Sequence, residues 1–147
     1  MTREEATRQI IAARQEKKLS WRALAERVGR HPIWTTAALL GQHAMSAEEA
    51  RAATAALDLG PDVAAALQEC PTRGVTDQPV PTDPTIYRLY ELVLVYGPTI
   101  KALIHEEFGD GIMSAIDFSM DLQRVEDPKG DRVLLTMNGK FLPYKKF

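Results

Sequence analysis

Residues 81–100 read PTDPTIYRLYELVLVYGPTI, a stretch with one arginine and one glutamate three positions apart, Arg88 and Glu91, and no other charge between Pro84 and Ile100. Asp83 is placed to cap a helix and Pro84 to open it, because the first N–H groups of a helix have no intrahelical partner and a missing one costs nothing. Gly97 followed by Pro98 reads as the stop. Ile86, Leu89, Tyr90 and Val93 recur at helical spacing and form a face that demands burial. At about 100° per residue the opposite side holds Arg88, Glu91, Leu92 and Val95, with Tyr87, Leu94 and Tyr96 on the flanks. A helix apolar nearly all round is covered on every side, by its own domain or by other chains. Arg88 and Glu91 are therefore expected to lie out of water, where an unpaired charge costs several kcal/mol. Two readings stay open on these residues alone. One is an ion pair that merely staples the helix, worth about 0.2–0.5 kcal/mol on an exposed surface. The other is an anion site, with the guanidinium as a forked donor and the carboxylate holding it in place.

Composition narrows the classes. A chain of 147 residues buries a real core, as one domain or two small ones. The formal net charge of -2 gives no bulk electrostatic case for nucleic acid or an anionic membrane. The longest apolar run falls short of the roughly 18 residues of a membrane span, and no charged and then apolar leader is visible. The single cysteine, Cys70, excludes an internal disulfide framework and fits a reducing, cytoplasmic setting. With no base beside it, it is expected to be partly buried and inert. His31, His43 and His105 are scattered, and HEEFG at 105–109 lacks the second histidine of a zinc-protease helix. His105 with Glu106 and Glu107 reads instead as a solvated face near a helix end. FGDGI at 108–112 lacks the lysine and spacing of a phosphate-binding loop, so neither a metal nor a nucleotide cofactor is expected.

The first half is punctuated as short helices. Thr2–Glu5 and Ser46–Glu49 match the capping box, Ser20 caps WRALAERV, Gly29 ends it, Pro32 opens PIWTTAALL and Gly41 closes it. A last helix follows Pro61, for four or five in all. LSWRALAERVGRHPIWTTAALLG has the layout of a helix-turn-helix. Its charge does not suit DNA: up to Val75 there are ten Lys/Arg against nine Asp/Glu, a net of +1. The helix that would enter a groove, from Pro32, carries no Arg, Lys, Asn or Gln, and Thr35 and Thr36 are its obvious polar side chains. PTRGVTDQPVPTDP, 71–84, reads as a linker between domains 1–76 and 77–147.

Beyond the linker, the Tyr-rich helix should be followed by a second one, PTIKALIHEEF, ended by Gly109. The period then changes. Ile116, Phe118, Met120 and Leu122 alternate with polar residues as in a half-buried strand. DPKG at 127–130 is a turn, RVLLTM at 132–137 the antiparallel return, and Asn138-Gly139 a further turn. The fold class is α+β: a helix-turn-helix-like all-α bundle, then a small α+β domain. A lone hairpin is marginal in water, so its strands need more partners.

The run PTDPTIYRLYELVLVYGPTIKALIHEEFGDGIMSAIDF, with the strand pair and the closing GKFLPYKKF, resembles the cyanase (cyanate hydratase, cyanate lyase) family across the second half of the chain. The likeness extends more loosely into the first half through TAALLGQ. The resemblance implies a lambda-repressor-like N-terminal domain that does not serve DNA, and a C-terminal catalytic domain that interlocks two chains, five such dimers forming a decamer. It places the catalytic residues at Arg88, Glu91 and Ser114. It implies that cyanate and bicarbonate combine to give carbon dioxide and carbamate, which releases ammonia, with bicarbonate a co-substrate and no metal or organic cofactor. Relatives can carry a cysteine just after the linker Arg-Gly, where this chain has Val75, which puts regulation through a thiol in doubt. One Arg88 per chain is thin provision for two anions, so a pocket shared between subunits is expected. A helix-turn-helix regulator with a dimerising C-terminal half is the other class to be separated.

Overall fold

The computed structural model of the chain describes residues 1–72 and 79–147. The domain boundary expected at 76/77 and the position of Val75 lie outside the described residues. Contacts divide the chain into two compact units, one on either side of that stretch.

The N-terminal unit holds five helices: α1 (Arg3–Glu16), α2 (Trp21–Val28), α3 (Pro32–Leu39), α4 (Ala47–Leu57) and α5 (Pro61–Gln68). Their ends follow local chemistry. Thr2 and Ser46 form complete capping boxes with Glu5 and Glu49, and Ser20 accepts from the N–H of Ala23. Gly29 (φ 75°) and Gly41 (φ 94°) take left-handed conformations after α2 and α3. Ile10, Leu24, Leu39, Leu57, Val63 and Leu67 fill the core. Arg3 fastens the bundle across distant segments: its guanidinium donates to the carbonyls of Ala66 (2.6 Å), Ala38 (2.7 Å) and His43 (2.8 Å). α5 ends before Glu69, and Cys70 is free and exposed rather than partly buried, because the chain has already left the bundle there.

Glu49 ties α4 to the turn after α2. Its carboxylate accepts from Ser46 N–H (2.7 Å) and from Arg30 Nε (2.5 Å). These partners, the Ser46 N–H foremost and then Arg30, hold its carboxyl below the usual range against the opposing effect of burial. A depressed folded value stabilises fully above the ordinary carboxylate value, about 4.3, and that stabilisation is lost as pH falls through the folded value. Glu49→Gln should therefore lower stability at pH 7 by about 1 kcal/mol, roughly 4–8 °C for a domain of this size. It should also flatten the decline of melting temperature on acidification below about pH 4.3. Thermal unfolding of both proteins across pH checks this, and parallel curves would contradict it.

The C-terminal unit consists of α6 (Pro84–Phe108) and a hairpin of β1 (Gly111–Val125) and β2 (Arg132–Pro143). Three sequence expectations are not met in this unit. The two helices separated at Gly97-Pro98 are one 25-residue helix with Pro98 inside it. Proline restricts the preceding residue partly through that residue's Cβ, and Gly97 has none, so one constraint that normally ends a helix is missing. The first strand begins at Gly111, well before the alternation from Ile116. Asn138-Gly139 is not a turn but part of β2, paired with Ser119 and Phe118. Gly139 has no left-handed φ. A Cβ there would lie 2.4 Å from the Ser114 carbonyl oxygen, so glycine serves a close approach rather than a reversal. The turn at DPKG forms as expected: Gly130 N–H reaches the Asp127 carbonyl (2.9 Å), and the Asp127 carboxylate accepts from Lys129 N–H (2.9 Å) and Arg132 Nε (3.0 Å).

Candidate active site

Arg88 and Glu91 lie in the first turns of α6, where Asp83 Oδ1 accepts from the N–H groups of Thr85 and Ile86 (both 2.9 Å) and fixes the helix start. Spacing of i, i+3 brings the two side chains together, and Arg88 Nη1 donates to Glu91 Oε2 at 2.7 Å. The guanidinium also lies 6.0 Å from the ring of Tyr87. Glu91 engages one edge of the fork and leaves other N–H groups of Arg88 free to point at an anion.

In the single chain this pair is not withdrawn from water: the Arg88 side chain is 71% exposed and that of Glu91 44%. The reason is that the described residues leave most of the helix uncovered. No residue of α6 is buried, and Ile86, Leu89, Leu92, Val93, Leu94 and Val95 all stand exposed, Val93 at 66%. The hairpin shows the same imbalance, with Ile116 97% exposed. Isolated helices and lone hairpins are marginal in water. Apolar surface of this extent marks an interface.

Ser114 is the opposite case, a small polar side chain only 3% exposed. It sits where β1 leaves its ladder. Met113 pairs with Phe141 and Phe118 with Gly139, so residues 114–117 stand opposite Lys140 alone. The arch turns the N–H groups of Ile116 and Asp117 onto Ser114 Oγ, at 3.0 Å each. Those two N–H groups are thus spent on the serine and are not additional anion donors. With both lone pairs engaged, the hydroxyl keeps its own proton to donate. Sequence spacing does not reveal this arch, because its signal is a mismatch in register between two strands.

Among the described residues no hydrogen bond or ion pair joins Ser114 to Arg88 or Glu91, so two of the three candidates are bonded to each other and the third is bonded within its own arch. His105 receives a hydrogen bond from Lys101 Nζ (3.2 Å) on α6. Among the described residues no group of three or more His, Cys, Asp or Glu is placed to hold a metal ion. Thr35, expected to be among the few polar residues on a DNA-reading helix, is fully buried.

Two family models match the chain: one described as cyanate hydratase, N-terminal, over residues 3–71, and one as cyanate lyase C-terminal domain, over residues 78–146. Proteins named cyanate hydratase from Dechloromonas aromatica and Ralstonia pickettii are each 57% identical over 147 residues, covering all of both chains. One from Mycolicibacterium vanbaalenii is 55% identical over 98% of this chain and 94% of its own. Among solved structures, the crystal structure of cyanase from T. urticae matches with a TM-score of 0.82 and 39% identity, covering 95% of this chain and 97% of that one.

Proposed function

The chain belongs to the cyanate hydratase (cyanate lyase) family, and from that premise we propose how its residues decompose cyanate. It is a lyase-type enzyme acting on cyanate. In the proposed route bicarbonate is the second substrate. A bicarbonate oxygen bonds to the cyanate carbon, and the cyanate nitrogen takes up a proton as charge builds there. The bond between the bridging oxygen and the former bicarbonate carbon then breaks, and the proton that bicarbonate carried passes to the nitrogen, giving carbon dioxide and carbamate. Carbamate takes one more proton from solvent and separates into ammonia and carbon dioxide. No metal or organic cofactor is assigned a step.

The observation that carries this reading is an ion pair built into a helix that the described residues leave largely uncovered, with a buried donor serine on a separate element. Two anions repel, and bringing them together requires preorganised donors in a site that excludes water. Fixing two reactants in place can itself supply about 7–11 kcal/mol of the barrier. Arg88 clamps the anions and meets the charge developing in the transition state. Glu91 orients the guanidinium through the 2.7 Å contact. Ser114 donates its one proton to a reacting oxygen or nitrogen. The site is completed by other copies of the chain, whose apolar helices cover one another and bring further Arg88 side chains to a common pocket. A decamer built as five dimers is the assembly we assign. Among the described residues no helix is long and apolar enough to cross a membrane, and a single unbridged cysteine suits the cytoplasm.

The test is ammonia release measured with cyanate alone, bicarbonate alone and both, in buffer stripped of carbon dioxide. Release is expected only when both are present. Undiminished release without bicarbonate overturns the two-substrate route, and no release with both overturns the activity. The helix-turn-helix regulator finds no support, since the groove-facing helix lacks base-reading side chains and Thr35 is in the core.

A further inference from the structure

We propose that Gly139 is a positioning residue for Ser114, holding the arch that aims its hydroxyl, and that its missing side chain serves catalysis rather than the hairpin as such. This rests on the reading of Ser114 as a donor to the reacting atoms. A Cβ added at Gly139 would stand 2.4 Å from the Ser114 carbonyl oxygen, 2.6 Å from Met113 Cγ and 3.2 Å from Phe118 Cδ2. The Ser114 carbonyl and Met113 Cγ must both give way when residue 139 gains a methyl group, and of the two only the carbonyl belongs to the backbone of the arch. Gly139 pairs with Phe118, the residue at which the ladder resumes, so it lies directly at the foot of the arch. Displacing the Ser114 peptide pulls Oγ away from the Ile116 and Asp117 N–H groups that hold it at 3.0 Å. The hydroxyl is then free to rotate, and its proton no longer has a fixed direction. A donor displaced by a fraction of an ångström loses most of its value in a transition state while ground-state binding changes little.

The experiment is a double-mutant cycle on the full chain, with Ser114→Ala, Gly139→Ala and the double variant compared for kcat, KM for cyanate, melting temperature and amide exchange at residues 116 and 117. Gly139→Ala is expected to lower kcat by about tenfold or more with KM within about twofold, and to cost less than about twofold further on the Ser114→Ala background. Exchange at the Ile116 and Asp117 amides should rise in Gly139→Ala while the turn at 127–130 keeps its protection. The same loss on both backgrounds, or no loss at all, overturns the proposal. If Ser114→Ala is itself fully active, the catalytic reading of Ser114 fails and takes this one with it. If Ser114→Ala is impaired while Gly139→Ala equals the unsubstituted protein, only the positioning role falls. Should Gly139→Ala not fold, the cycle is run in a Met113→Ala background, where one of the close contacts is cut back. Failure to fold there as well overturns the proposal, since Gly139 then maintains the hairpin itself.

Discussion

Replacing Arg88 by leucine is expected to abolish cyanate-dependent ammonia release while leaving the fold intact. The size of the effect follows from what the pocket loses. One preorganised donor to a developing charge is worth about 10²–10³ in kcat, and a pocket shared between chains loses a guanidinium from each, so a fall on the order of 10⁴ or more is expected. The fold survives because Arg88 supports little of it: its bond to Glu91 is an i, i+3 pair exposed in the single chain, worth about 0.2–0.5 kcal/mol there. Arg88→Lys separates charge from shape. It keeps the positive charge, loses the planar fork that can hold Glu91 and an anion together, and should remain far below the unsubstituted enzyme. Steady-state ammonia release, with circular dichroism and melting temperature as the control for folding, reads both variants. Turnover within tenfold of normal in a folded Arg88→Leu protein would show that the anions are held by something else.

Val93→Glu is expected to have an effect nearly as large by a different route. Val93 lies on the face of α6 away from Arg88 and is 66% exposed in the single chain. If copies of the chain cover that face, each glutamate must be buried unpaired, at a cost of several kcal/mol per chain. Assembly should therefore shift to small species, and activity should vanish with it although Arg88, Glu91 and Ser114 are all present. The N-terminal unit has its own core and should still melt cooperatively. Sedimentation velocity together with the ammonia assay distinguishes the outcomes. A Val93→Glu protein that assembles and turns over normally would mean that this face of α6 is not an interface.

How much the sequence discloses depends on how local the physics is. Helix caps at Thr2, Ser20 and Ser46, and the turn at Asp127–Gly130, are decided by groups within three or four residues of one another, and they form as the residues indicate. Gly97-Pro98 is misleading because the breaking strength of proline depends partly on the Cβ before it, which is absent here. Asn138-Gly139 has the composition of a turn, yet its glycine answers to a backbone carbonyl 25 positions earlier in the chain. Arg3 is likewise invisible in the sequence, since its three acceptors are carbonyls that converge only once α3, α5 and the segment before α4 are packed. In the site, the pairing of Arg88 with Glu91 is legible from spacing alone. The burial and double acceptance at Ser114 come from strand register, which no local pattern encodes. The Arg88–Glu91 pair stands exposed in the single chain, because the described residues leave most of α6 uncovered, and its burial belongs to the proposed assembly.

In the proposed site Arg88 side chains from more than one chain reach a single pocket, and the mass of the active species tests this most directly. Light scattering across a size-exclusion peak, with cyanate- and bicarbonate-dependent ammonia release measured in the same fractions, should find activity only in a species close to ten times the chain mass of 16.4 kDa. Full activity in a fraction of one chain mass would contradict it.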